Sequence, residues 1–173
     1  MKFTHKAFVR WDDLDAFGHV NNAKYLTFAQ EARFEWGWFQ FAEKKQEPIL
    51  MEMVVGRAEV DFVKPIYDGG QFVDVILWVE SIGNASFVNA YEVVKDGQVF
   101  AKMKTVQVAI DLQTRKSRPL NAQEREFLNK YLEANWVQQS IANLEFGGEI
   151  RLFIKSIFAH LPIQMRSEEH TSE

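Results

Sequence analysis

Cysteine is absent from the 173-residue sequence, which excludes disulfide bonds, a thiolate nucleophile and cysteine metal sites. The sequence also has neither a glycine-rich phosphate-binding loop nor a serine nucleophile elbow. Four histidines are present without the spacing of metal ligands: His5, His19, His160 and His170. We therefore predict a protein that works without a metal ion or a bound cofactor.

The sequence also lacks a large charge of one sign and a long apolar run. Its net charge is only −4 and it has no extended basic face, so nucleic acid is not an expected partner. The first residues lack the apolar run of a signal peptide. The apolar stretch 152–163 is too short and too polar to span a bilayer. We expect no membrane segment and a cytoplasmic location.

The residues that are present suit one globular domain, because 47% are hydrophobic and the chain is long enough to bury a core. Residues 7–11 predict a first strand, and the acidic segment 12–18 predicts a turn. A long helix then begins, with Asn21 or Asn22 as its cap. Apolar residues recur along it at spacings of three and four: Tyr25, Phe28, Ala29, Ala32, Trp36 and Phe39. This broad stripe indicates a helix held against a sheet.

After Pro48 the apolar residues alternate with a period of two. Residues 56–63 alternate with charged residues and predict a half-buried strand. Three more strands are predicted over 72–80, 87–94 and 99–110, and Asp96-Gly97 is a strong hairpin signal between the last two. Because short turns join these strands, their pairing must be largely antiparallel. The fold class is therefore α+β.

A final amphipathic helix is predicted over 122–134, with Asn121 as its cap and Glu124 reaching back to it. Clear periodicity is lost from residue 135 onward. We therefore predict one domain over 1–134 and an irregular tail over 135–173. The end of the tail, 166–173, resembles the translation of a sequencing-library adapter, so part of the tail is predicted to be non-native sequence.

The segment before the long helix concentrates the chemistry. It places the carboxylate of Asp15 a few residues ahead of a helix N-terminus. Backbone N–H groups at a helix N-terminus are unpaired and can stabilise a developing negative charge. A carboxylate beside such donors is suited to acyl transfer.

The same segment carries a family resemblance. It reads Trp-Asp-Asp-Leu-Asp-Ala-Phe-Gly-His-Val-Asn-Asn-Ala-Lys-Tyr over 11–25, followed by Glu31-Ala-Arg33. This pattern resembles the hotdog-fold acyl-CoA thioesterases of the 4-hydroxybenzoyl-CoA thioesterase type. The resemblance implies a five-stranded antiparallel sheet wrapped around one long central helix. It also implies a homodimer or homotetramer in which subunits join their sheets and form active sites at the shared interface.

The resemblance assigns roles to individual residues. Asp15 is expected to act on an acyl-CoA thioester, either as general base or as nucleophile, and the backbone amide near Asn22 is expected to polarise the carbonyl. Further substrate contacts are expected at Gly18, His19, Val20, Asn21, Tyr25 and Lys64. His19 is expected chiefly as a hydrogen-bonded spacer, Gly18 as a residue with positive φ or as room for the thioester, and Tyr25 as a lining of the acyl pocket.

Two other function classes remain open at this point. A hotdog hydratase or dehydratase would pair a histidine with a carboxylate at the helix, and the helix over 23–41 has no histidine. A non-catalytic acyl-binding module would use the same fold without catalysing a reaction.

The cations that could bind coenzyme A phosphates are scattered: Lys64, Lys102, Lys104, Arg115, Lys116 and Arg118. The sequence does not distinguish an aryl from a fatty acyl group.

Overall fold

Five antiparallel strands form one sheet in the computed structural model, which describes residues 1–133. In sheet order these are β1 (Phe3–Val9), β3 (Gln71–Ile82), β4 (Ser86–Lys95), β5 (Gln98–Ala109) and β2 (Met53–Phe62). β1 and β2 are therefore the two edges of the sheet. The tail predicted over 135–173 lies outside the described residues.

A long helical segment crosses the inner face of the sheet. It consists of α1 (Asn22–Phe34), a π-helical turn (Glu35–Phe39) and α2 (Gln40–Glu43), without a break between them. Its buried side chains agree with the predicted stripe: Tyr25, Phe28, Ala29, Ala32 and Trp36. Phe39 was predicted on the same stripe, but its side chain is 51% exposed. Phe39 is the last residue of the π turn, whose wider winding breaks the helical spacing on which the prediction depended.

The final helix, α3 (Ala122–Lys130), has the predicted capping box between Asn121 and Glu124. It ends earlier than predicted, because the chain turns at Tyr131 so that Leu132 and Glu133 run along β3. The rings of Phe127 and Tyr131 lie 4.9 Å and 5.2 Å from that of Trp36. This contact fixes α3 against the π-helical turn.

Two sequence predictions about the strands are corrected. The first strand is Phe3–Val9 rather than 7–11, because a 3₁₀ turn already begins at Trp11. β2 was predicted to be half-buried, yet most of its residues are exposed because it forms an edge of the sheet with no strand beyond it. The predicted hairpin is confirmed, since Asp96 and Gly97 both have positive φ, as a tight two-residue turn requires.

Apolar residues from the inner face of the sheet and from the helix form one core. Most inward positions of the central strands are apolar and buried, as Val73, Val75, Leu77 and Val79 of β3 are. Within residues 1–133 no helix has the length and apolar character needed to cross a membrane.

Candidate active site

A small hairpin carries the predicted catalytic segment. Leu14 pairs with Val20, and the amide of Asp15 donates to the carbonyl of His19 at 2.9 Å. Gly18 closes the turn by donating to the carbonyl of Asp15, and its φ is +75°. Because nothing lies within 4 Å of the position a Cβ would take, glycine is required here for its backbone angle and not for space inside the protomer.

The Asp15 carboxylate is held by two contacts. Its Oδ1 accepts a hydrogen bond from the amide of Phe17 at 2.8 Å, and its Oδ2 lies 3.2 Å from Nδ1 of His19. The side chains of Asp15 and His19 are 21% and 30% exposed, so both remain reachable from solvent. The structure therefore brings together the two titratable residues of the hairpin.

Exposed aromatic side chains surround this pair. Phe17 stacks on His19 with 6.0 Å between ring centroids, and Tyr67 approaches its edge at 6.2 Å. Phe17, Tyr67 and Trp11 are all largely exposed. An apolar rim around a polar centre is typical of a binding surface.

The start of α1 leaves one backbone donor unused. Asn21 is the cap: its amide donates to the carbonyl of Asp13, and its side chain accepts from the amide of Ala23. The amide of Lys24 donates to the carbonyl of Asn21. In the described part of the chain the amide of Asn22 has no acceptor. It is therefore available to bind an oxygen atom of a ligand.

Asp13 has a structural role in the turn before the hairpin. Its carboxylate accepts from the amide of Arg10 at 2.8 Å and lies 3.0 Å from the ammonium of Lys24. Burial alone would raise the pKa of Asp13, but these contacts hold that pKa below its ordinary value. Asp12, next to it in sequence, is exposed.

Of the other predicted substrate contacts, Val20 and Tyr25 are buried in the protomer and Lys64 is exposed. Val20 is buried and its amide donates to Ile66, so it fixes the hairpin against the next segment of the chain. Tyr25 is buried between Phe28 and Phe62, and burial raises the pKa of its phenol. Neither side chain is accessible in the protomer. The ammonium of Lys64 is exposed and donates to the side chain of Gln98.

The predicted phosphate-binding cations divide into two groups. Arg118 is committed to carboxylates, with two bonds to Glu124 at 2.8 and 3.0 Å and one to Glu52. Lys102 and Lys104 also face carboxylates, on the outer face of the sheet. The other three predicted cations lie farther than 4 Å from every carboxylate of residues 1–133: Lys64, Arg115 and Lys116.

Sequence reasoning missed a buried polar cluster on the inner face of the sheet. It comprises Asn89, Thr105 and Gln107, which occupy inward positions of β4 and β5. Polar residues among otherwise apolar inward positions were the signal for it. Arg33, which belongs to the family pattern, contacts the hydroxyl of Tyr91 next to this cluster, and Glu31 lies 3.7 Å from Arg10.

Comparison with known proteins identifies the family. The family model described as "Thioesterase-like superfamily" matches residues 9–145, most of the chain. This chain belongs to the thioesterase-like superfamily.

This chain resembles named thioesterases along most of their length. It is 32% identical over 123 residues to a 1,4-dihydroxy-2-naphthoyl-CoA hydrolase of Nostoc punctiforme, covering 69% of this chain and 82% of that protein. It is also 27% identical to the long-chain acyl-CoA thioesterase FadM of Escherichia coli, and the matched region covers 72% of this chain and 96% of FadM. A crystal structure of a Thermus thermophilus thioesterase with coenzyme A and Zn is 30% identical, with a TM-score of 0.61 over 74% of this chain and 92% of that one.

These similarities confirm the hotdog fold for this member of the superfamily. They also confirm, at the level of the family, the expectation of an enzyme of the CoA thioesterase class.

Proposed function

We propose that this chain is an acyl-CoA thioesterase in which Asp15 acts on the thioester and the Asn22 amide polarises its carbonyl. One observation carries the proposal: a solvent-reachable carboxylate and an unused helix-terminal donor flank the same hairpin. The CoA thioesters named for the two relatives and the coenzyme A bound in the Thermus thermophilus structure support this substrate class.

Thioester hydrolysis needs both the Asp15 carboxylate and the Asn22 amide. Attack on a thioester places negative charge on its carbonyl oxygen, and one positioned N–H donor lowers the barrier by about 3 kcal/mol in comparable sites. As a general base, Asp15 takes a proton from water while the water oxygen bonds to the carbonyl carbon. The C–S bond then breaks and coenzyme A leaves as a thiol. As a nucleophile, Asp15 bonds to the carbonyl carbon while the C–S bond breaks and the coenzyme A thiolate leaves and takes up a proton; water then hydrolyses the mixed anhydride to the free acid and restores the Asp15 carboxylate.

His19 acts as a positioning residue in this proposal. Its Nδ1 lies 3.2 Å from Oδ2 of Asp15, while the amide of Phe17 holds Oδ1. Both carboxylate oxygens are thus fixed by the hairpin, which orients Asp15 before substrate binds.

We also propose that two copies join through their β2 edges. β2 presents unpaired backbone groups along one side, and several apolar side chains at or beside it are about half exposed: Met51, Val54, Val55, Phe62 and Val63. Exposed apolar edges of this length are normally covered in a folded protein. A two-fold pairing of identical edges gives the dimer that the family resemblance implies. The cytoplasmic location stays a prediction of the sequence.

The Asp15–His19 contact favours a second candidate, the hydratase or dehydratase class, which pairs a carboxylate with a histidine. The structure forms that pair in the hairpin instead of the helix. The chemistry separates the two candidates, because a hydratase adds water across a carbon–carbon double bond and leaves the thioester intact.

The test is a panel of saturated, aromatic and α,β-unsaturated acyl-CoA thioesters. We expect the protein to release free thiol from the saturated and aromatic thioesters. With the α,β-unsaturated thioester, the ultraviolet absorbance of the enoyl group should change only as far as hydrolysis of the thioester bond changes it. Hydration of the enoyl thioester with no thiol release would favour the second candidate. Binding without either reaction would identify an acyl-binding module.

A further inference from the structure

A cavity of about 100 Å³ lies between the far end of the long helical segment and the inner face of the sheet. Most of the residues that line it are apolar, and they include Trp36, Leu50 and Phe87. Three polar side chains also line it: Arg33, Asn89 and Gln107. An apolar pocket with a few convergent polar groups is the usual form of a small-molecule binding site.

Asn89 is the unusual member of this lining. Its side chain is 0% exposed, and neither its Oδ1 nor its Nδ2 has a hydrogen-bond partner within residues 1–133. The indole nitrogen of Trp36 is also buried without a partner there. A buried polar group without a partner costs free energy, so these groups mark a place where a bound ligand would supply the missing hydrogen bonds.

Arg33 adds a positive charge that no nearby carboxylate neutralises. Its guanidinium lies 3.5 Å from the hydroxyl of Tyr91 and farther than 4 Å from every carboxylate of residues 1–133. In the described part of the chain the cavity lining has no acidic member. The lining therefore combines N–H donors with one positive charge, and the ligand group that matches this combination is a carboxylate.

The segment that covers one side of the cavity has a strained backbone. Leu50 lines the cavity with a φ of +63°, which is uncommon for a bulky side chain. The amide of Ile49 donates to the carbonyl of Gly37 at 3.2 Å, and a Cβ at Gly37 would lie only 3.3 Å from the carbonyl oxygen of Ile49. Glycine in the π-helical turn thus allows this close contact. Backbone strain and π turns are both frequent at functional sites.

We propose that this cavity binds a carboxylate carried on an apolar stem, and that this carboxylate is the remote end of the acyl group in a half-thioester of an aliphatic dicarboxylic acid. The inference rests on the proposed thioesterase function and adds a substrate class to it. Arg33 and Asn89 bind the carboxylate oxygens, and the apolar walls contact the methylene groups. A methyl end would leave these buried donors unpaired, so the site favours the dicarboxylic acyl group over a simple fatty one.

The size of the cavity fits a narrow group. A cavity of roughly 150 Å³ is enough to enclose a benzene ring. The space here is smaller, about 100 Å³, and it opens to the surface. A carboxylate with a few methylene groups fits such a space, with the rest of the acyl group leading out through the opening towards the thioester.

The thioester at the other end of the acyl group would lie at the hairpin of the second copy in the proposed dimer. Trp36 and Asn22 of one protomer are about 21 Å apart along the helix axis, at a rise of about 1.5 Å per residue. Met53, at the start of β2, lines the cavity, whereas Phe62, at its end, packs on Tyr25 near the start of α1. Antiparallel pairing of two β2 edges would place the start of one strand beside the end of the other.

The test compares dicarboxylic half-thioesters with fatty acyl thioesters of equal length. Adipoyl-, suberoyl- and sebacoyl-CoA are paired with hexanoyl-, octanoyl- and decanoyl-CoA, so that the members of each pair differ only in the terminal group. We expect kcat/KM for the best dicarboxylic thioester to exceed that of its fatty counterpart by at least about tenfold, the usual worth of one charge-assisted hydrogen bond. Equal rates in every pair, or faster hydrolysis of the fatty members, would overturn the inference.

Substitutions of the two donors test the assignment of the site. Asn89→Leu and Arg33→Met should each abolish the preference, by lowering kcat/KM for the dicarboxylic thioester and not for the fatty one. Asn129→Leu makes the same change as Asn89→Leu at an exposed position of α3, and Lys44→Met removes an exposed positive charge just after α2. Both controls should retain the preference. A preference that survives in both Asn89→Leu and Arg33→Met would contradict the proposed site.

Binding of free ligands separates this inference from the proposed function. Hexanoate and the uncharged hexanamide can be titrated against tryptophan fluorescence, since Trp36 and Trp38 line the cavity. Hexanoate should bind at least about tenfold more tightly, and Asn89→Leu and Arg33→Met should each remove the difference. If no thioester is hydrolysed, the proposed function fails, while this result would still support the carboxylate site. Equal binding of the two ligands would overturn the site.

The same titration distinguishes the two sources of a carboxylate. Hexanoate binding that depends on Asn89, without any preference among the thioesters, would identify a site for a free carboxylic acid and overturn its assignment to the acyl group.

Thermal unfolding checks the state of Asn89 without ligand. The Tm of Asn89→Leu should rise by a few degrees, because an unpartnered amide is lost. Saturating hexanoate should raise the Tm of the wild type and leave that of Arg33→Met unchanged, since a ligand stabilises only the protein that binds it. A lower Tm for Asn89→Leu would show that Asn89 serves stability and would count against the inference.

Discussion

Asp13 and Asp15 lie two positions apart, and their surroundings give them different roles. Asp13 is buried, and the amide of Arg10 and the ammonium of Lys24 occupy its oxygens. Asp15 is reachable from solvent and contacts His19. Because Asp13 is buried, a substrate does not reach its carboxylate, so Asp13 maintains the hairpin; Asp15, whose side chain is 21% exposed, is the candidate for chemistry.

Asp13 supports a prediction about stability and pH. Its folded pKa lies below its usual value of 3.8, so the ionised form stabilises the fold. This stabilisation is complete above that usual value and is lost as the pH falls through the folded pKa. Asp13→Asn should lower the free energy of unfolding at pH 7 by about 1–3 kcal/mol, with a smaller difference in strong acid. Urea denaturation at a series of pH values measures this.

Asp12→Asn is the matched control, because Asp12 is exposed. It should change the free energy of unfolding by less than about 0.5 kcal/mol. A difference between wild type and Asp13→Asn that stayed constant from neutral to strongly acidic pH would contradict the role given to Asp13.

Individual roles could be predicted from the sequence only where they depend on nearby residues. The structural role of Asp13 and the cap at Asn21 follow from turn and helix-end chemistry within a few positions. The contact of His19 with Asp15 depends on the positive φ of Gly18, and the sequence allowed that angle without requiring it. The orphaned amide of Asn89 depends on a cavity built from distant segments, so no local pattern predicted it.

Helices and strands show the same division between local and distant causes. The Asp96-Gly97 hairpin and the Asn121–Glu124 capping box are set by adjacent residues, and both predictions are confirmed. The exposure of β2 was mispredicted. The alternation of apolar and polar residues indicates which face of a strand is apolar, but the order of strands in the sheet decides whether that strand lies at an edge. Phe39 was misplaced because a π-helical turn has no clear sequence signal.

The proposed dimer rests on features of the whole protomer. The β2 edge is uncovered, apolar side chains at or beside it are about half exposed, and aromatic residues next to the Asp15–His19 pair are exposed. Two copies joined through β2, as we propose, would cover this edge.

A charge placed in the middle of β2 tests this assembly. Ala58 lies opposite Thr105 on the inner face of the sheet and is exposed in the protomer. Ala58→Lys should convert a dimer into monomers, since two lysines at a two-fold contact repel and inward charges on edge strands oppose pairing. Sedimentation velocity should show the change, and thioester hydrolysis should fall by at least about tenfold if the site is shared.

Ala42→Lys is the control, because Ala42 is exposed near the end of α2, where a positive charge suits the helix dipole. It should leave the assembly intact. A wild-type protein that sediments as a monomer, or a monomeric Ala58→Lys variant with full activity, would contradict the account of the assembly.

The central claim is that the carboxylate of Asp15 cleaves the thioester. The most direct measurement is kcat/KM for thiol release by Asp15→Asn, with Asp12→Asn as a neighbouring control and Tm as the check on folding. The account predicts a loss of at least about a hundredfold for Asp15→Asn at an unchanged Tm, and near-normal activity for Asp12→Asn. A folded Asp15→Asn variant that hydrolyses the thioester at close to the wild-type rate would contradict the claim.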